Sequence, residues 1–298
     1  MFAARLKPRL IITGLVLHLA LWLVVSLPVS FRLLPELYPV SLGVRVFASC
    51  VAFALALLLN VEIAREHRSA PWLRVAWLAL AANAGISIFR MIFESPLLTL
   101  IWPEYTTELR GLWQHLAIVP ANFSLLVGVV AMCLAYHRVG LGFEIERRDY
   151  VLMAAIAALL IALMVFRGGL SEAQSPYLSS RLLQQLGLLL LALVSAVSVV
   201  LHRMTMQMGG GKLALALRVL TLYALLRSLL VLLGALRPEF SPVVESIRSH
   251  LLTLAWQAVL WLPALAAAYR AQLTLNAARE LQQLEARQAG RTAAALVS

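Results

Sequence analysis

The sequence predicts an all-α fold: a polytopic membrane helix bundle with eight transmembrane helices. Apolar residues make up 62% of the 298-residue chain and charged residues only 13%, whereas a soluble protein is nearer half apolar and a quarter charged. The apolar residues gather in runs that are mostly close to the ~20 residues that a helix needs to cross a bilayer. Because these runs are continuous and do not alternate with polar residues, they favour helices over the strands of a membrane barrel.

The predicted spans follow one another with short polar connections. The first run follows Arg5, Lys7 and Arg9, as in a signal peptide, but it is too long for one and lacks a small-residue cleavage site. We therefore expect it to be a retained helix. In chain order the predicted spans are Leu10–Val29, Val46–Ile63, Val75–Phe93, Leu112–Tyr136, Tyr150–Phe166, Leu182–Leu201, Leu213–Leu236 and His250–Tyr269.

Orientation follows from the charges of the connections. With the N-terminus inside, the inner connections hold more than twice as many Arg and Lys residues as the outer ones, and positive charge collects on the cytoplasmic side. An even number of spans then places both termini in the cytoplasm, and we expect a bacterial inner membrane. The excess of Arg and Lys in the inner connections explains the net charge of +11. No nucleic-acid partner is expected, because no basic face with interleaved aromatic residues lies outside the apolar runs.

A repeated stretch indicates a tandem duplication. Residues 103–116 and 238–251 align without a gap, and each joins the third predicted span of a half to the fourth. The halves would be residues 1–138 and 139–270, in the same orientation, as in parallel-repeat transporters. Chance similarity between two loops of biased composition is the alternative. The aligned positions are Pro103 with Pro238, Glu104 with Glu239, His115 with His250, and Asn122 with Gln257.

The connections and the tail have their own signals. Residues 28–43 are predicted to be an outer connection, with Arg45 counted on the outer side. Pro120 and Pro263 are expected to kink their helices.

The C-terminal tail, 271–298, is predicted to be a cytoplasmic amphipathic helix, because Ala277, Leu281 and Leu284 keep a heptad-like spacing. A protein partner would bind residues 271–289; the alternative is a solvated helix or one that lies on the membrane surface.

Six polar residues are the candidate ligand-binding site. A charge inside a span is costly and suggests function. Arg90 has Glu94 four residues later, on the same helix face, but Arg227 has no acid three or four residues away. Each half thus supplies an Arg, a Glu and a His near the outer side, and the alternative is that the Glu and His residues merely cover helix ends. The candidates are Arg227, Arg90, His115, His250, Glu104 and Glu239.

No metal, cofactor or catalytic residues are expected. His115 and His250 could hold a haem only if they faced each other at equal depth, and no local pair of histidines has the spacing of a zinc site. Cys50 and Cys133 lie inside apolar runs and lack any metal-ligand spacing. Asp149 is the only aspartate, which argues against aspartyl proteases and Asp-dependent lipid transferases. The sequence therefore predicts a protein that is not an enzyme.

The predicted function is a membrane sensor or signalling-complex component. It would bind an anionic or lipid-like ligand at the outer polar cluster and signal through the C-terminal helix. The layout, many spans followed by a cytoplasmic helix, resembles the input module of some bacterial signalling proteins. Because no output domain follows the tail, we expect a separate protein to carry the response. The alternatives are a small transporter or channel built from the two repeats, and a structural subunit of a membrane complex.

Overall fold

The computed structural model is helical throughout the part of the chain that it describes, and no strand occurs in that part. The described residues are 7–30, 33–102, 104–141, 146–170, 178–235 and 242–273; within these ranges the side chains of 30, 35, 100–101, 107–108, 163–170, 178–181, 235 and 242–243 are outside the description. The predicted cytoplasmic tail therefore lies outside the described residues from position 274 onward. The all-helical fold class predicted from the sequence is confirmed.

Eight long helices carry the fold in the part of the chain that the structure describes. Seven of them, all except α5, are long and apolar enough to cross a membrane. The fifth is a helix of 24 residues whose side chains are described only as far as 162. The helices are α1 Pro8–Ser30, α2 Tyr38–Glu66, α3 Pro71–Phe93, α4 Thr107–Arg138, α5 Arg147–Leu170, α6 Leu178–Gln207, α7 Lys212–Ala235 and α8 Pro242–Val259.

The start of α2 corrects one sequence-based boundary. The connection from α1 was predicted to run through residues 28–43, yet α1 continues to Ser30 and α2 already begins at Tyr38. Pro39 lies in the first turn of α2, where proline costs no hydrogen bond and its fixed φ suits the helix. Arg45 is consequently a helical residue, two turns inside α2, and is not part of a loop.

The two prolines that were expected to kink their helices behave differently. In α8 the helix stops at Val259, passes through a turn at Leu260 and Trp261, and resumes over 262–273. Pro263 causes this break, because it has no N–H to donate and its ring clashes with the carbonyl of Val259. Pro120 lies within α4, which continues through it.

Packing gathers the helices around a shared core. The helix α3 packs between α2 and α4, α4 also packs on α6, and α6 packs on α5 and α7. Large side chains such as Phe53, Trp77 and Met132 are buried in this core. Leucines and valines remain exposed on the outward faces; on α1 they include Val16, Leu17, Leu21 and Val24. An exposed apolar surface of this extent is what lipid would cover.

Side-chain contacts identify which helix ends lie together. At the predicted inner end, Arg270 contacts His67 at 2.8 Å between Nη2 and Nε2, and Arg203 Nε donates to Asp149 at 2.7 Å. Burial, with a smaller contribution from Arg270, lowers the pKa of His67. Burial alone would raise the pKa of Asp149, but the hydrogen bonds from Arg203 and from the backbone of Glu146, together with the charges of Arg203 and Arg148, outweigh burial and lower that pKa overall. At this end, these contacts join α5 to α6, and they join the end of α2 to the segment 262–273 that follows the break in α8.

Candidate ligand-binding cavity

The predicted outer half of the bundle contains a cavity of about 320 Å³. It lies between α3, α4, α6 and α7, and one side chain of α8, Trp256, reaches it. Its size is at the lower end of the range of small-molecule sites. The polar lining residues are Arg90, Glu94, Gln114, His115, Asn122, Gln184 and Arg227, and the apolar ones are Ile118, Leu188, Leu191, Leu230, Val231 and Trp256.

Among the residues that line this cavity, Arg227 is the one whose burial costs the most free energy. It is 5% exposed, and within the described residues no carboxylate lies within ion-pair distance of its guanidinium. Its Nη1 donates to the hydroxyl of Tyr223, one turn earlier, but at 3.4 Å. A normal hydrogen bond of this kind is about 2.7–3.2 Å long. The cation therefore lacks a strong protein partner in the described part of the chain.

Arg90 is held differently. Its Nε donates to Glu94 Oε2 at 2.9 Å, one turn along α3. This is the intrahelical ion pair that the i,i+4 spacing predicted. The pair stands at the edge of the cavity, with side chains 18% and 30% exposed. Because Glu94 compensates the charge of Arg90, Arg227 carries the uncompensated positive charge among the described lining residues of the cavity.

The remaining polar groups come from α4 and α6. Asn122 Nδ2 donates to the carbonyl of Gly187 at 2.7 Å, which ties the two helices together beside the cavity. The other amide atom, Asn122 Oδ1, is buried with no hydrogen-bond partner among the described residues. His115 and Gln184 face the same space. These groups can donate or accept hydrogen bonds, so they would orient a ligand that the arginines attract.

The close approach of α4 and α6 depends on Gly187. A Cβ built there would lie 2.6 Å from Ile118 Cγ2, which real side chains do not tolerate. The missing side chain allows the Asn122 hydrogen bond to form. Gly187 also forms part of the cavity wall on the α6 side.

The structure brings three of the six candidate residues together. Arg90, His115 and Arg227 line the same cavity. His250 instead lines a separate cavity near α1 and α2, stacks on Trp22 with ring centroids 6.3 Å apart, and has Nδ1 2.7 Å from the carbonyl of Ser246.

Of the two candidate glutamates, only Glu104 belongs to the part of the chain that the structure describes. Glu104 is exposed in the turn before α4 and lines none of the described cavities. Glu239 lies outside the described residues. The connection that carries Glu104 is anchored instead by the buried Tyr105, whose hydroxyl donates to the carbonyl of Phe93. Of the six candidates, three therefore line one cavity, His250 lines another, Glu104 lines none of the described cavities, and the position of Glu239 stays a prediction.

Sequence reasoning missed several lining residues. Gln114, Gln184 and Asn122 are polar side chains within or beside apolar runs. This polarity was the only feature of the sequence that could have identified them as lining residues. Asn122 also joins two helices, through its hydrogen bond to the carbonyl of Gly187. Arg45, which lines the two neighbouring cavities, was assigned to a loop because α2 was predicted to begin too late.

The lining favours a negatively charged ligand. With histidine neutral, two arginines and one glutamate leave the cavity with an excess positive charge. Its walls are otherwise largely aliphatic, with one tryptophan, so a bound molecule would be partly apolar. Among the described residues no group of three His, Cys, Asp or Glu side chains could hold a metal ion. His115 and His250 line different cavities, an arrangement that offers no shared haem site.

Comparison with protein-family models, with curated proteins and with solved structures found no match. What the chain can bind therefore has to be inferred from its own residues. The cavity supplies a buried cation, a second cation with its carboxylate, hydrogen-bonding amides and an imidazole. This set is suited to binding and orienting an anion.

Proposed function

We propose that this chain is an integral membrane sensor that binds an anionic, partly apolar ligand in the cavity between α3, α4, α6 and α7. The observation that carries the proposal is Arg227. A buried guanidinium with only a 3.4 Å contact to Tyr223 is costly in a membrane helix. A ligand carboxylate or phosphate would supply the charge-assisted hydrogen bonds that it lacks.

Signalling would run through α8. Trp256 places this helix at the cavity, and the break before Pro263 separates that outer segment from the inner one, 262–273. The inner segment carries Arg270, which contacts His67 at the end of α2. A ligand that moves Trp256 would bend α8 at the break and change how the following tail is presented to a protein partner. The ligand must bind the two positions of α8 with different affinity for this to happen.

The proposal includes an orientation and a location. The predicted inner end contains most of the Arg and Lys residues outside the spans, so we place it, and both termini, in the cytoplasm. The cavity would then open toward the opposite side. For a bacterial protein this would be the periplasmic side of the inner membrane.

The test measures stabilisation of the purified protein in nanodiscs of uncharged lipid. Decanoate and decyl phosphate should raise the melting temperature, since a ligand that binds the native state stabilises it; decyltrimethylammonium should not. Arg227→Gln should weaken anion binding at least about tenfold. Arg110→Gln is the matched control, because it removes a positive charge from the outer end but lines none of the described cavities. Equal anion binding by wild type and Arg227→Gln would contradict the proposal.

A transporter is the second candidate, favoured by two hydrogen bonds. Asn122 of α4 donates to α6, and Gln257 of α8 accepts from Ser49 of α2 at 3.1 Å. A tandem duplication would make these contacts equivalent, because α8 would repeat α4 and α6 would repeat α2. The α4–α6 contact is closely packed, whereas a cavity of about 200 Å³ lies beside Gln257. Such an asymmetry is what two rocking halves would produce.

Flux in proteoliposomes distinguishes the two candidates. A transporter should move the anion that it binds across the membrane at a rate that Arg227→Gln abolishes. A sensor should bind the same anion and give no flux above empty liposomes. Binding without flux would exclude the second candidate while leaving the first intact.

A further inference from the structure

The cavity lined by Arg90 and Arg227 is the first of three neighbouring cavities. The second, of about 200 Å³, shares Arg90, Glu94 and Trp256 with the first. The third, of about 250 Å³, shares Arg45 and Thr253 with the second. The three cavities therefore adjoin one another in a row, from Arg227, past the Arg90–Glu94 pair, to Arg45 and the region between α1, α2 and α8.

Arg45 stands at the far side of this space. It is half-buried on α2 and lines both the second and the third cavity. No ion pair forms with its guanidinium within the described residues. The only carboxylate that lines either cavity in the described part is Glu94, which already pairs with Arg90 at 2.9 Å. Arg45 is thus a second cation that faces a cavity without a counterion.

Charge is consequently arranged in three positions along this row of cavities in the described structure. A cation without a carboxylate partner stands at each end, and a paired Arg–Glu stands between them. Apolar side chains such as Met91, Leu230 and Leu260 line the intervening cavities. A ligand with one anionic group would neutralise one end only, and the other partly buried cation would stay uncompensated at a cost in free energy.

We propose that Arg45 forms a second anion subsite and that the ligand is an elongated molecule with two anionic groups joined by an apolar segment. This inference rests on the proposed function, since Arg227 must bind the first group. The Arg90–Glu94 pair lies between the subsites, where it is electrically neutral and leaves the apolar segment of the ligand undisturbed. Two charge-assisted contacts at separate arginines would also select for ligand length, because only a matching spacer engages both.

The test compares matched monocarboxylates and dicarboxylates on the full-length protein in nanodiscs of uncharged lipid. The probes are octanoate with octanedioate, decanoate with decanedioate, and dodecanoate with dodecanedioate, and binding to empty nanodiscs is subtracted. At one spacer length the dicarboxylate should bind at least about tenfold more tightly than its partner. Arg45→Gln should remove this advantage, so that the dicarboxylate binds no more tightly than the monocarboxylate of the same length. Arg227→Gln should weaken the binding of both probes.

Two controls separate loss of charge from loss of fold. Arg45→Lys keeps the positive charge and should keep most of the dicarboxylate advantage, and Arg110→Gln should leave all affinities unchanged. Equal binding of both probe types at every length, or an advantage that persists in Arg45→Gln, would overturn the second subsite while the first survived. If wild type bound none of the carboxylates, the second subsite would fall together with the proposed function.

Discussion

At the scale of single residues, Arg227 and Arg90 show how similar side chains can have different energetic roles. Both are arginines near the predicted outer end, and both line the same cavity. Arg90 has Glu94 one turn away, so its charge is compensated within its own helix. Arg227 is more deeply buried and has only the distant Tyr223 hydroxyl. An uncompensated cation is tolerated when binding needs it, at the expense of stability.

Replacing Arg227 by methionine should therefore stabilise the empty protein. Arg227→Met keeps the long side chain and removes the charge, and we expect the free energy of unfolding to rise by up to about 3 kcal/mol, the order of cost of an arginine in mid-membrane. Arg90→Met should do the opposite, because it leaves the Glu94 carboxylate without its partner.

Thermal melts of both variants without ligand would measure this contrast. Anion-induced stabilisation should be lost in Arg227→Met, which separates the gain in stability from the loss of function. If Arg227→Met melted below wild type, the guanidinium would be contributing to the packing of the helices. The main support for ligand binding would then be gone.

At the scale of helices, the sequence predicted the existence of the elements better than their ends. All eight apolar runs correspond to helices, because long apolar runs have no other way to satisfy their backbone in lipid. The start of α2 was missed since residues 38–45 include proline, serine and arginine, which lower the apolar signal without preventing a helix. The break in α8 was indicated by Pro263, whereas Pro120 gave the same signal in a helix that continues through it.

The site was only partly predictable for a related reason. Arg227 and Arg90 stood out because charge in a span is rare. The role of Gly187 depends on the distance between two helices, which a single sequence does not encode. Glu104 aligns with Glu239 in the predicted repeat, but Tyr105 anchors the connection to the end of α3, and Glu104 is exposed.

The contact between α4 and α6 provides a prediction at this scale. Gly187→Ala would place a methyl group 2.6 Å from Ile118 Cγ2, and overpacking of this kind costs about 1–3 kcal/mol. The β-branched Ile118 has little freedom to move aside, so the helices would separate and strain the Asn122 hydrogen bond. Gly85→Ala is the control, because a Cβ there meets nothing within 4 Å.

Unfolding of these variants in mixed detergent micelles would measure the effect. We expect Gly187→Ala to unfold more readily than wild type, and Gly85→Ala to be unchanged or slightly more stable. In the background of Ile118→Ala, which removes the obstructing methyl group, Gly187→Ala should cost much less. A Gly187→Ala protein as stable as wild type would show that α4 and α6 need no close contact.

At the scale of the whole molecule, the number of membrane crossings decides where the termini lie. Seven helices meet the length and hydropathy expected of a span, and seven crossings would put the termini on opposite sides. Eight crossings require α5 as well. Its 24 residues would reach about 36 Å at roughly 1.5 Å per residue, which exceeds the ~30 Å hydrocarbon core. Its first turn is level with the inner end of α6, through the ion pair of Asp149 with Arg203.

We therefore predict that both termini lie on the cytoplasmic side. A fluorescent protein fused after Ser298 should fluoresce in bacterial cells, and alkaline phosphatase fused at the same place should be inactive, because it folds only after export. Replacing the predicted α5 span, 150–166, with a flexible polar linker should reverse both signals, since seven crossings would export the C-terminus. Active phosphatase on the unaltered chain would instead mean an odd number of crossings. The ion pair at the start of α5 would then belong to a helix that lies against the bundle without crossing the membrane.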